Sequence, residues 1–181
     1  EVSGELKGQG YYINGELQGQ FSWFDEAGRL KGKGSYVDGK LTGEFVEYDA
    51  GAQIVREEKF VDGIKHGKYS LYYDNGAKKE QGTYESGKKI GVAESFSPDG
   101  RLKTKAFFAD GKLEGRQEIF DERGSLKEIL CYANGARTEA SACNTDGAEH
   151  CEGFLAMEQN VQSQLPRRID RITELASVSV D

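Results

Sequence analysis

Histidine and cysteine, the side chains that most often ligate or attack, are few in this chain, and those present are poorly placed for chemistry. His66 and His150 are the only histidines, and Cys131, Cys143 and Cys151 the only cysteines. No Ser, His and acid combination falls in a recognisable motif. On composition alone, Cys131, Cys143, His150 and Cys151 make a Cys3His zinc set. Their spacing fits no usual zinc knuckle, and adjacent His150 and Cys151 would strain one tetrahedral centre. The reading is therefore no metal, no cofactor and no enzyme. A disulfide suits the cysteines better, with Cys143–Cys151 favoured because both lie in one irregular segment. That leaves Cys131 as a free thiol or as the alternative partner of Cys151. A disulfide implies an oxidising compartment, a periplasm or cell envelope; reduced thiols would leave the cytoplasm open.

The 31 acidic residues concentrate in turns, where Asp serves local backbone hydrogen bonds. Asp25, Asp49 and Asp121 recur for that reason and are not read as general acids. Gly8-x-Gly10 and Gly32-x-Gly34 precede no helix, so they are not phosphate loops. His66 occupies a column shared with Gln18, Thr42, Ile90 and Glu114, a variable surface position.

The elements that hold these residues follow from an internal repeat. Residues 14–37, 38–61, 62–85, 86–109 and 110–133 align without gaps as five units of 24 residues, and residues 4–13 match the second half of a unit. Each unit opens on a dipeptide: Asn14-Gly15, Asp38-Gly39, Asp62-Gly63, Ser86-Gly87, Asp110-Gly111, with Asn134-Gly135 continuing the series. Such pairs suit two-residue type I′ turns, in which both central residues need positive φ. A second turn falls in mid-unit, at Asp25 to Gly28, Asp74 to Gly76, Pro98 to Gly100 and Asp121 to Gly124; in the second unit Gly51 comes one position early. Each unit is thus two strands and two turns. With Asp38-Gly39 at the tip, Val37 should face Lys40, Tyr36 should face Leu41, and Gly34 should face Gly43.

Rings recur in columns. One is Tyr12, Tyr36, Phe60, Tyr84, Phe108 and Tyr132, with companion glycines Gly19, Gly43, Gly67, Gly91 and Gly115. A second is Phe24, Tyr48, Tyr72, Phe96 and Phe120. A third, partial column runs Phe21, Phe45, Tyr69, then Ala93 and Gln117. Stacking of these rings is the expected source of stability, as in other one-dimensional repeats. The expected fold is all-β: an elongated antiparallel meander of β-hairpin repeats over residues 1–142. Residues 143–181 form a separate tail. Phe154, Met157, Val161 and Leu165, then Ile169, Ile172 and Leu175, sit at helical spacing. They predict short helices over 154–164 and 166–177, capping the array.

The pattern DGKLxGxFxxYDxxGxLxxxxxY resembles the MORN-variant repeat, in the form found in bacterial proteins similar to the YwqK-like antitoxin family. The resemblance covers residues 4 to about 140. It implies stacked hairpins that bind something and do no chemistry. Some bacterial relatives look like immunity or antitoxin proteins, and eukaryotic MORN proteins have been linked to phospholipids and membranes. The partner expected here is a protein toxin or effector, blocked sterically. Trp23, Phe21, Phe45 and Tyr69 are the candidate contacts, Trp23 first because it lies outside the regular columns. The alternative is a lipid- or membrane-associated scaffold; a start on Glu1-Val2 without Met leaves room for a processed signal or lipid anchor.

Charge bears on both. The net charge is −7, which argues against a nucleic-acid partner. Residues 1–133 carry 20 basic and 23 acidic residues, with no basic stripe for anionic lipid.

Overall fold

The computed structural model describes residues 7–139. They form one sheet of thirteen antiparallel strands: β1 (Gly8–Ile13), β2 (Glu16–Phe24), β3 (Leu30–Val37), β4 (Lys40–Tyr48), β5 (Ile54–Val61), β6 (Ile64–Lys65), β7 (Gly67–Tyr72), β8 (Lys78–Glu85), β9 (Lys88–Phe96), β10 (Leu102–Ala109), β11 (Lys112–Phe120), β12 (Leu126–Ala133) and β13 (Ala136–Thr138). Neighbours in sequence are neighbours in the sheet, β6 pairing with β5 beside the main path. The all-β hairpin-repeat fold is as expected. The helices anticipated over 154–164 and 166–177 lie outside the described residues.

The turns follow from the residues that open each unit. Asn14, Asp38, Asp62, Ser86, Asp110 and Asn134 all have φ near +50°, and the glycine after each is also positive. Each later tip is tied to the preceding unit, since Gly39 N–H donates to Leu17 O, Gly63 to Leu41, Gly87 to Lys65, Gly111 to Lys89 and Gly135 to Leu113, all at 2.8–3.0 Å. The mid-unit turns use Asp as expected. Asp25 Oδ1 accepts from the N–H groups of Ala27 and Arg29, Asp49 Oδ1 from Gly51 and Gln53, and Asp121 Oδ1 from Arg123 and Ser125.

The register differs from expectation in one respect. Val37 faces Lys40 and Tyr36 faces Leu41, but Gly34 faces Phe45 rather than Gly43. Gly43 has φ +95°, as its column-mates Gly19, Gly67, Gly91 and Gly115 also have positive φ. This glycine forms a bulge, which inserts extra residues on one side of the ladder. On its other side the same glycine does face a ring, that of the following strand: Gly19 with Tyr36, Gly43 with Phe60, Gly67 with Tyr84, Gly91 with Phe108, and Gly115 with Tyr132.

Residues opposite one another share a face of the sheet. One face, the ring face, carries Phe21, Trp23, Tyr36, Phe45, Phe60, Tyr69 and Tyr84. Ring pairs recur between the third column and the tip-side column: Phe21–Tyr36 at 6.0 Å, Phe45–Phe60 at 5.7 Å and Tyr69–Tyr84 at 4.8 Å between centroids. Trp23 joins the second of these pairs, its ring 5.2 Å from that of Phe45. The rings need flat ground beneath them, and glycine supplies it. A Cβ on Gly32 would lie 2.1 Å from the Trp23 ring, and one on Gly82 would lie 2.8 Å from Tyr69. The core is correspondingly thin: among the described apolar residues only Tyr69, Ala93, Ala106 and Cys131 are buried.

Candidate functional site

The repeat explains most of the ring face, and its exceptions mark a site. In the column of Gly34, Gly82, Ala106 and Leu130 the second unit places Glu58. In the column of Leu17, Leu41 and Leu113 the third and fourth units place Lys65 and Lys89. Arg56 and Glu80 occupy a variable column, shared with Gly32, Thr104 and Glu128. Strand pairing sets Arg56 opposite Glu47 and Leu71, Glu58 opposite Phe45, and Lys89 opposite Tyr84. Together they form a charged cluster among rings, on β4, β5, β6, β8 and β9.

Each cation lies over a ring and against a carboxylate. Arg56 stands 5.0 Å above the Phe45 ring and bonds Glu47 at 2.7 Å, with Glu58 at 3.7 Å. Lys65 Nζ lies 5.0 Å above Tyr84 and donates to Glu58 Oε1 at 2.6 Å. Lys89 Nζ lies 5.2 Å from the Tyr69 ring centre and 5.5 Å from that of Phe108, and donates to Glu80 Oε1 at 2.5 Å. The Tyr69 hydroxyl donates to that same oxygen, also at 2.5 Å. Burial first, then the bond to Glu80, pushes the Tyr69 phenol well above its ordinary range. At Glu80 burial acts to raise the carboxyl, but Lys89 and the Tyr69 hydroxyl outweigh it and hold it below the usual carboxylate range.

This arrangement costs stability. Glu58 is 5% exposed, and its Oε2 has no hydrogen-bond partner; neither has the buried Nε of Arg56. A buried polar atom left unpaired costs about 1–3 kcal/mol. A shallow cleft lined by Glu44, Phe45, Glu58, Tyr69 and Ser70 opens beside it. Three carboxylates and three cations, held by rings, are preorganised for polar recognition.

The sequence-derived contacts fall as follows. Phe45 belongs to this cluster. Tyr69 is 3% exposed, so it supports the cluster from beneath and is not the surface contact expected of it. Phe21 lies over Gly8 and Gly10, and Trp23 over Gly32, both half-buried. Trp23 is thus seated in the ring stack, because Gly32 leaves it room. His66 is not incidental: its Nδ1 accepts from Ser86 N–H at 3.5 Å, and Thr42 and Glu114 in the same column accept from Asp62 and Asn134 N–H. The column supports the next tip, which several polar side chains can do.

Cys131 is disulfide-bonded, not a free thiol, and is 3% exposed. Cys143, Cys151 and His150 lie outside the described residues. The favoured Cys143–Cys151 pairing therefore falls outside the described residues as well. Among the described residues no three His, Cys, Asp or Glu side chains gather as a metal site would require.

The charged cluster was missed because each residue, read singly, looks like a solvated strand position. The signal lay across columns: Lys replaces Leu only at the two hairpins that directly follow Glu58 and Glu80.

Comparison with known proteins agrees with the repeat. Residues 17–38, 65–86 and 113–134 match the MORN repeat variant. The three matches start at equivalent positions in alternate units. The unmatched second unit carries the displaced Gly51 and the intruding Glu58, and the unmatched fourth has Ala93 in place of a ring. No curated protein matches the chain.

Proposed function

We propose that this repeat scaffold is a non-catalytic, immunity- or antitoxin-type protein that sterically neutralises a cognate protein toxin or effector, using the charged cluster on the ring face. One observation carries the reading. Glu58, Lys65 and Lys89 depart from the repeat, at a cost in stability, and converge on one surface with Arg56 and Glu80. Local rules are broken in this way where function requires it. Rings with an Arg at their centre are also the residue types that dominate protein interfaces. The disulfide at Cys131 supports an oxidising compartment, hence a periplasmic or cell-envelope setting.

The test is affinity capture from the native organism with the wild-type chain and with Glu58→Gly, which restores the residue of Gly34 and Gly82. The reading expects a stoichiometric protein partner whose co-expressed toxicity the wild type suppresses, and at least a tenfold weaker capture by the variant. Equal capture by both would move the interface off the ring face. Co-sedimentation with liposomes and no protein partner would replace the reading by the membrane scaffold.

A further inference from the structure

We propose that Asn134 is a self-modification site, whose side-chain amide is attacked by the next peptide nitrogen and converted, with loss of ammonia, to aspartate or isoaspartate. The chain carries its own control. Asn75-Gly76-Ala77-Lys78 and Asn134-Gly135-Ala136-Arg137 have nearly the same local sequence, so their intrinsic reactivity is alike. Glycine follows both asparagines and puts no side chain in the way of the attack. Both asparagines are exposed. Both glycine N–H groups are engaged to the same degree, Gly76 with Tyr73 O and Gly135 with Leu113 O, each at 2.8 Å. Asn14-Gly15 offers no such comparison, because the residues before Lys7 lie outside the described ones.

The two amides differ in what holds them. Asn75 lies in a mid-unit turn with both ends of its amide fixed by backbone: Nδ2 donates to Pro98 O at 2.7 Å, and Oδ1 accepts from Ala77 N–H at 3.1 Å. Both bonds must break before that amide turns toward Gly76. Asn134 stands at a hairpin tip with φ +53°. Its Oδ1 accepts from Lys112 Nζ at 2.7 Å, and its own N–H donates to Glu114 Oε2 at 2.6 Å. Lys112 is an exposed, flexible side chain, so it follows the amide as the amide turns, which backbone atoms cannot do. Its charge also lies at the oxygen on which negative charge develops.

The step needs only the chain and water. When the tip opens and frees Gly135 N–H, the nitrogen gives its proton to solvent base and attacks Asn134 Cγ. The new C–N bond turns Oδ1 into an oxyanion facing Lys112. The Cγ–Nδ2 bond then breaks, and ammonia leaves with a proton from water. Water opens the resulting succinimide at either carbonyl, giving aspartate or isoaspartate at position 134. Aspartate there would pair with Lys112 as Asp110 pairs with Lys88 at the preceding tip. Isoaspartate lengthens the backbone of a two-residue turn and disturbs the β12–β13 pairing of Tyr132 with Arg137 and Ala133 with Ala136. The Asp-Gly tips react more slowly, since an ionised carboxylate is a poor electrophile.

The test is to age the full chain at neutral pH and 37 °C and follow both positions by peptide mapping and mass spectrometry, with enzymatic methylation to report isoaspartate. Expected is at least fivefold faster conversion at position 134 than at position 75 in the folded chain, and similar rates at the two once the chain is unfolded in urea. Lys112→Gln should slow position 134 at least threefold, while Lys112→Arg keeps the wild-type rate. Position 75 in the same samples reports the fold, because a loosened array would speed it as well. Equal rates at the two positions in the folded chain would overturn the proposal, as would a Lys112→Gln rate at position 134 that matches or exceeds the wild type's.

Discussion

Ala52 has φ +62°, the conformation that its counterparts Gly28, Gly76, Gly100 and Gly124 supply without strain. The glycine of this unit, Gly51, arrives one position early, so alanine takes the left-handed site. An L-residue there costs roughly 1–2 kcal/mol, of which glycine's extra chain entropy returns ~0.5–1. Ala52→Gly should therefore stabilise the protein by about 1 kcal/mol, read as a higher urea midpoint at unchanged slope. Tyr69 tests the cluster in a different way. Its phenol is raised in the folded protein, so this contribution to stability is complete below the unfolded value of roughly 10 and is lost as the pH climbs beyond it. Tyr69→Phe removes a hydrogen bond to a charged group and should cost about 1.5–3 kcal/mol at neutral pH. Its stability should then fall less steeply than the wild type's above pH ~10. Parallel alkaline limbs would show that the phenol is not held as described.

Among the elements, the hairpin tips were legible because Asn-Gly and Asp-Gly have few alternatives to a type I′ turn. The bulge was not. A glycine beside an aromatic reads equally well as a groove for the ring or as a left-handed backbone position, and only the pairing of Gly34 with Phe45 separates the two. Both readings turned out to hold, on different glycines: Gly32 and Gly82 lie beneath rings, while Gly43 bends the strand. They predict different responses. Gly43 has open space around its missing Cβ, the nearest atom being Ser35 Cβ at 3.7 Å, so Gly43→Ala suffers from φ alone. Net of the chain entropy that alanine does not have to lose, it should cost about 1 kcal/mol, with the Trp23 fluorescence of the folded state unchanged.

The described residues form a single layer, so the sheet's stability is a sum over neighbouring strands, as in a one-dimensional array. That sum is uneven. Backbone pairing is similar along the array apart from the short β5–β7 ladder, but the ring pairs Phe21–Tyr36, Phe45–Phe60 and Tyr69–Tyr84 give way to Ala93 against Phe108 and Gln117 against Tyr132. A ring pair contributes about 0.5–1.5 kcal/mol beyond the area it covers. In an array that opens from its ends, the later units lack that increment each time a neighbour is released. Native-state hydrogen exchange should therefore show slowest exchange in β3–β8 and roughly tenfold or faster exchange in β10–β12, since about 1.4 kcal/mol is a factor of ten. The measurement belongs in reductant, because the bond at Cys131 restrains β12 covalently and would mask the gradient. Restoring a ring with Ala93→Tyr, beside Gly in place of Ala106 to seat it, should extend the slow region into β9 and β10. Uniform protection across the sheet would mean that backbone pairing alone sets the stability of each unit and that the rings serve recognition only.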